Sequence, residues 1–181
     1  DVRWQNWDRR GRKGREPKLT SKKSFGMWKK VISQSTRINR EYPKNAKADI
    51  VLYNKAIGLQ YIGREKEAAR ILSQLVERFK GSNVAGDAYA SLGDFYFDSN
   101  SFRSAQNSYK KATNYRQSSR YLWSVFKLGW CAFNLNQYQR SKQLWKRVVR
   151  ESRAKGSKGV QLKDEALRDL VYAFAELREV D

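Results

Sequence analysis

The stretch LGDFYFDSNSFRSAQNSYKKA, residues 92–112, sets glycine and alanine among the largest side chains of the chain. Leu92 and Gly93 lead into aromatic residues, a polar break follows at Asp98-Ser99-Asn100, and then come Phe102, Ala105, Tyr109 and Ala112. A single helix does not account for this order. Two helices joined at the break do, because apolar residues recur at helical spacing on each side of it. Gly93 and Ala105 then permit close backbone approach, while Tyr96, Phe102 and Tyr109 fill the space around the contact.

The same pattern recurs outward from this segment. EYPKNAKADIVLYNKA (41–56) pairs with RFKGSNVAGDAYASLG (78–93) at a shift of 37 residues, matching Tyr42 to Phe79 and Ala56 to Gly93. Gly129, in FKLGW, lies 36 residues beyond Gly93, and Ala166, in DEALRDL, another 37 beyond that. Each of the first three small residues is followed by a second helical pattern: Ala68, Leu72 and Leu75; Ala105, Tyr109 and Ala112; Ser141, Trp145 and Val148. Such a period marks a stack of hairpin units that bury their apolar faces on one another. Amphipathic pairing alone would also suit a plain helical bundle.

Leu92, Gly93, Tyr96, Ala105, Tyr109 and Ala112 match in type and order the pattern of the tetratricopeptide repeat family, which this chain resembles. The resemblance implies an all-α, right-handed superhelical array of antiparallel helix pairs, a TPR-like solenoid. It is strong over residues 49–158 and looser over 24–48 and 159–181. The spacing exceeds the family's usual unit by two or three residues, and the proline between units is met only at Pro43, with Lys80 in its place one unit later. The expected organisation is a basic, largely flexible arm at 1–23 and an incomplete first repeat, a single helix, at 24–48. Units follow at 49–85, 86–121 and 122–158, with the first helix of a truncated further unit at 159–181. Turns between units are expected at Gly81-Ser82-Asn83 and Gly156-Ser157-Lys158-Gly159. Trp4 and Trp7, at the head of the arm, are expected to pack on the first helices or on a partner.

Composition narrows the chemistry. The 181 residues include no histidine and a single cysteine, Cys131. Clustered zinc ligands, an internal disulfide and a histidine-based nucleophilic triad are therefore excluded. No paired acids stand in a distinctive setting, so the chain reads as a non-enzyme needing no cofactor or metal. Cys131 lies in a strongly apolar helix and reads as a small buried hydrophobe. No run approaches the roughly 18 apolar residues of a membrane span.

The net charge of +20 is unevenly placed. Residues 1–48 carry fifteen basic against four acidic residues, 49–100 six against seven, 101–158 fourteen against one, and 159–181 three against six. Two basic blocks thus flank a near-neutral one.

In superhelical stacks the first helices of the units line a concave wall. The residues expected there are Asp87, Asp94, Phe97 and Asp98, then Trp123, Phe126, Trp130 and Phe133 on one helical face. Val125, Leu128, Gly129 and Ala132 supply the packing face, so the aromatic stripe is surplus to the repeat. It is either core covered by neighbouring helices or a groove for a protein or peptide partner. Aromatic rings beside carboxylates favour an apolar ligand carrying positive charge. The arm itself, RWQNWDRRGRKGR (3–15), has that composition, so self-association through it is one possibility. Repeat proteins of this family that clamp a carboxyl terminus line the groove with lysine, asparagine and arginine. Here the matching places hold Tyr53, Ile57, Ala90 and Asp94, so a carboxylate is a poor guest.

On the second helix of the third unit, Leu144, Trp145, Val148 and Val149 should point inward. Arg140, Lys142, Lys146, Arg147, Arg150 and Arg153 then lie outside. With Lys110, Lys111, Arg116 and Arg120 they form a basic surface, which is either a solvated face with no specific anion or a site for an acidic protein, an anionic envelope polymer or, less readily, nucleic acid. The aromatic residues follow packing periodicity rather than interleaving with the basic ones, which disfavours base stacking. The junctions EYPKNAKAD and RFKGSNVAGDAY resemble those of bacterial envelope tetratricopeptide proteins. YLWSVFKLGWCAFNLNQY with KDEALRDLVYAFAEL is similar to repeat proteins of gliding-motility machinery. These likenesses imply a scaffold in the periplasm or envelope of a bacterium, with the cytoplasm as the alternative compartment. The other readings are a nucleic-acid-associated repeat protein and a regulatory region of a longer multidomain protein.

Overall fold

The computed structural model describes residues 22–152 and 156–178. Within them the chain is all helix: α1 (Lys22–Glu41), α2 (Ala48–Tyr61), α3 (Glu65–Arg78), α4 (Ala85–Asp98), α5 (Phe102–Ala112), α6 (Tyr121–Asn134), α7 (Tyr138–Ser152) and α8 (Gly156–Arg178). No strand occurs among the described residues. The arm at residues 1–21, with Trp4 and Trp7, lies outside them, as does Arg153. The expected turn at Gly156–Gly159 is instead the first turn of α8.

The helices end for a recurring reason. Gly63, Asn100 and Asn136 have positive φ, at 78°, 56° and 58°, and follow one another at the repeat period. Glycine and asparagine tolerate this left-handed conformation at the lowest cost. Each donates its N–H three residues back, to Gln60, Phe97 and Phe133. The next residue donates five back, to Leu59, Tyr96 and Ala132. Orphan carbonyls at the helix ends are thereby satisfied as the chain reverses. The turns between units repeat as well: the N–H groups of Asn45, Ser82 and Ser118 donate to the carbonyls of Tyr42, Phe79 and Tyr115.

The described residues divide into two compact units between Ile71 and Leu72, inside α3. In the first, α1 packs along α2. Ala56 and Leu59 are buried there. Trp28 stacks on Tyr61 with ring centroids 4.3 Å apart, and Gly58 lies against Ile32.

In the second unit every helix from α4 to α7 packs on its successor, and α4 on α6 and α6 on α8 also touch. Neighbours one and two places along the chain meet, which is the contact pattern of hairpins stacked in series. The small residues sit where the sequence implied. A Cβ on Gly93 would come within 2.5 Å of the Tyr109 ring, and one on Gly129 would collide with the Trp145 indole. Tyr109 and Trp145 are fully buried. Trp145 donates its indole N–H to the Phe126 carbonyl at 3.2 Å, so its polar edge is satisfied inside the core.

One register differs from the periodic reading. The period of 37 pairs Ala166 with Gly129 as the small residue facing the unit's own second helix. Instead Ala166, Leu170 and Ala173 are buried in the cluster containing Trp145 and Val148, and α8 packs chiefly along α7. Leu128 and Cys131 of α6 make the corresponding backward contact, onto Ala105 and Tyr109. Leu170 and Ala173 thus match Leu128 and Cys131, an offset of 42. Ala166 is small because it faces back.

Candidate interaction surfaces

Asp94, near the C-terminal end of α4, is the polar centre of the first-helix face. Its Oδ1 accepts the Tyr109 hydroxyl of α5 at 2.6 Å and the Trp123 indole N–H of α6 at 3.2 Å. Its Oδ2 accepts the Arg120 guanidinium at 2.5 Å, and Arg120 also donates to Ser91. Burial and the neighbouring carboxylate push the Tyr109 hydroxyl far above its ordinary range, so it stays a donor. Asp87, in the first turn of α4, accepts the hydroxyls of Ser118 at 2.5 Å and Ser119 at 3.4 Å. Both acids therefore serve first to tie one hairpin to the next. Arg120, assigned by charge to the outer basic surface, turns to this face because Asp94 offers a partly buried partner.

Beyond Asp94 the face carries Phe97, Asp98, Trp123 and Lys127. The Lys127 ammonium lies 3.5 Å from the Phe97 ring centroid and 5.7 Å from Trp123. Burial pulls its pKa below the usual lysine value, against the attraction of Asp94 and Asp98. Burial likewise raises the Asp98 carboxyl, although its residue is exposed at the helix end. Sequence reasoning missed Lys127. The signal was present, since Lys127 lies one turn beyond Trp123 and shares its face.

The aromatic stripe splits between core and surface. Phe126 is 6% exposed and belongs to the core cluster. Trp123, Trp130 and Phe133 are partly buried against it. Trp130 packs edge-on to Trp145 at 5.2 Å, lies 6.5 Å from Tyr172 of α8, and hydrogen-bonds Asp169. Phe133 packs on Tyr138 and Trp145. Phe97, Trp123, Lys127, Trp130 and Phe133 are all half-buried on this face, and Asp98 is exposed.

On the second-helix side, Lys110, Lys111, Arg140, Lys146 and Arg150 are exposed and Lys142 is half-buried. Arg147 is drawn inward: it pairs with Glu151 at 2.9 Å and donates to the Tyr121 hydroxyl, which itself donates to Glu151. Lys142 and Lys146 lie 5.0 and 5.8 Å from the Phe174 ring of α8. Cys131 is buried, and desolvation pushes its thiol up to about 12, so it is an inert packing residue. No cluster able to hold a metal ion occurs among the described residues, and no helix among them is long and apolar enough to cross a membrane.

Two family models, both described as tetratricopeptide repeat, match residues 86–119 and 123–152. Among solved structures, the chain is similar to the crystal structure of MamA, with a TM-score of 0.57 and 17% identity over 92% of this chain and 98% of that one. It is also similar to the nearly identical TPR-like repeats of a putative kinesin light chain from Podosopora anserina. There the TM-score is 0.64 and the identity 12%, over 98% of this chain and 85% of that one. No curated protein matches the sequence.

Proposed function

We infer that this chain, a tetratricopeptide-repeat protein, is a non-enzymatic scaffold that binds a protein or peptide segment along the first-helix face of α4 and α6. The observation that carries this reading is the convergence of Phe97, Asp98, Trp123 and Lys127 beside an already satisfied Asp94. Asp87 and Asp94 are held by the chain's own donors, and Phe126 lies in the core. Trp130 and Phe133, half-buried like Trp123, pack on Trp145 and continue the aromatic face. The guest that fits carries an apolar or aromatic anchor for Phe97 and Trp123, with a cation near Asp98 or an anion near Lys127.

The second-helix side, with Lys110, Lys111, Arg140, Lys142, Lys146 and Arg150, supports a separate anionic partner, an acidic protein or envelope polymer. The likeness of the junctions to bacterial envelope repeat proteins supports a periplasmic assembly, with gliding-motility machinery as the specific case. Affinity capture from the cells of origin tests this reading. Wild type is compared with Phe97→Ala plus Trp123→Ala, and with Lys146→Glu plus Arg150→Glu. Partners lost selectively with the first variant belong to the groove, and those lost with the second belong to the basic side. Retention of every partner by both folded variants removes the proposal, and recovery of nucleic acid through the basic side replaces its anionic half.

A further inference from the structure

A cleft of about 240 Å³ lies between α4, α5 and the C-terminal half of α3. Glu77 of α3, Tyr89 and Tyr96 of α4, and Asn107, Ser108 and Lys111 of α5 line it. Shifts of 37 residues back and 36 forward, those that relate Ala56 and Gly129 to Gly93, give these positions counterparts in the flanking repeats. The counterparts of Tyr89 are Leu52 and Val125, and those of Tyr96 are Leu59 and Ala132. Those of Ser108 are Ile71 and Leu144. Three places that are aliphatic before and after thus carry hydroxyls here, and all three meet in one cleft.

The exchange accounts for the space. One hairpin later, Leu144 packs on the cluster of Ala105, Tyr109, Leu128 and Cys131. Ser108 is too short to fill the matching place beside Leu92, and its hydroxyl turns back to the Ser104 carbonyl at 3.0 Å. The tyrosines differ from their neighbours too. Tyr109, Tyr115, Tyr121 and Tyr138 give their hydroxyls to Asp94, the Lys80 carbonyl, Glu151 and Asn136. Among the described residues, Tyr89 and Tyr96 spend theirs on no such bond.

Glu77 and Lys111 offset one another, so the lining is neutral yet rich in both donors and acceptors. An anion would meet Glu77, and a cation would meet Lys111, whose ammonium stands 5.6 Å from the Tyr89 ring centroid. A purely apolar guest would leave the hydroxyls and the Asn107 amide unpaired. What remains is a neutral guest that donates and accepts around its whole edge, and the cleft has room for one sugar ring with its substituents.

We propose that the cleft between α3, α4 and α5 binds a neutral saccharide residue, whose hydroxyls pair with Tyr89, Tyr96 and Asn107. This site is independent of the first-helix face of α4 and α6.

The test titrates the full chain with maltotriose, cellotriose, mannotriose and chitotriose, read by saturation-transfer NMR and calorimetry. At least one should bind with a dissociation constant of about 1 mM or below. Ser108→Leu restores the aliphatic side chain of the flanking repeats. It should weaken that binding about tenfold or more while melting at or above wild type, since the new side chain enters space beside Val76 and Leu92. Tyr96→Phe removes a hydroxyl alone and should cost about fivefold. Failure of every sugar to bind overturns the proposal, as does binding that both variants leave unchanged. Tighter binding of free lysine or glutamate, lost in Ser108→Leu, would assign the cleft to a charged guest instead. Sugar binding seen only after removal of residues 1–21 would assign it to the chain's own arm. Phe97→Ala plus Trp123→Ala should leave sugar binding intact, so the groove can fail without the cleft failing.

Discussion

Gly93 and Gly129 show how little space separates paired helices. An added methyl at Gly93 meets ring carbons of a fully buried tyrosine, not the tip of a flexible chain. Gly93→Ala should cost about 1–3 kcal/mol by overpacking, in spite of alanine's better helix propensity. Urea unfolding followed by circular dichroism measures it, and an unchanged or raised midpoint would contradict the close approach. Asn100 has the opposite sensitivity. With φ at 56°, Asn100→Gly should be neutral or slightly stabilising, whereas Asn100→Val should cost about 1–2 kcal/mol. At Asp169, burial raises the carboxyl above its ordinary 3.8, while Trp130 hydrogen-bonds it, Glu165 disfavours its charge and Arg168 favours it. Its folded form thus holds a proton more firmly than its unfolded form. That contribution to stability is present at acid pH and is lost as pH rises through the folded value. Asp169→Asn should therefore gain stability relative to wild type between pH 3.8 and neutrality. A difference that is flat across that range would show that Asp169 is not desolvated.

At the scale of elements, Asp94 is the residue on which α4, α5 and α6 converge. Asp94→Ala strands the Tyr109 hydroxyl, the Trp123 indole N–H and the Arg120 guanidinium in partly buried positions. The expected loss is about 2–4 kcal/mol, with Asp94→Asn losing less. Thermal melting of the two variants beside wild type checks both the size and the order. Helix pairing and the small-residue contacts were legible in the sequence, because amphipathic period and residue size are local properties that a string of letters displays. The left-handed closure at Asn100 was visible only as part of the polar break at 98–100, and those at Gly63 and Asn136 were not read, although their recurrence at the repeat period was there to be counted. The destination of Asp87, Asp94 and Arg120 was not legible. Hydrogen bonds between residues 26 to 32 apart depend on how one hairpin is seated on the next.

For the whole molecule, the charge of +20 carries its own consequence. If the second-helix side binds anions, retention on immobilised polyglutamate should fall steeply with salt. Reversing Lys146 and Arg150 should elute the protein at clearly lower salt than reversing Lys44 and Lys47, which lie outside that block. Equal shifts for the two pairs would mean that net charge alone governs binding. The repeat period, the helical class and the basic blocks were fixed by the chain's own letters, because burial of periodic apolar faces leaves few alternatives to stacked hairpins. Tertiary structure alone decided which acids stay available, where Lys127 comes to rest, and that α8 seats at an offset of 42 instead of 37. The physical reason is that a helix can rotate about its axis until its best-fitting face meets its neighbour, and that choice rests on packing between segments, not on the period within one.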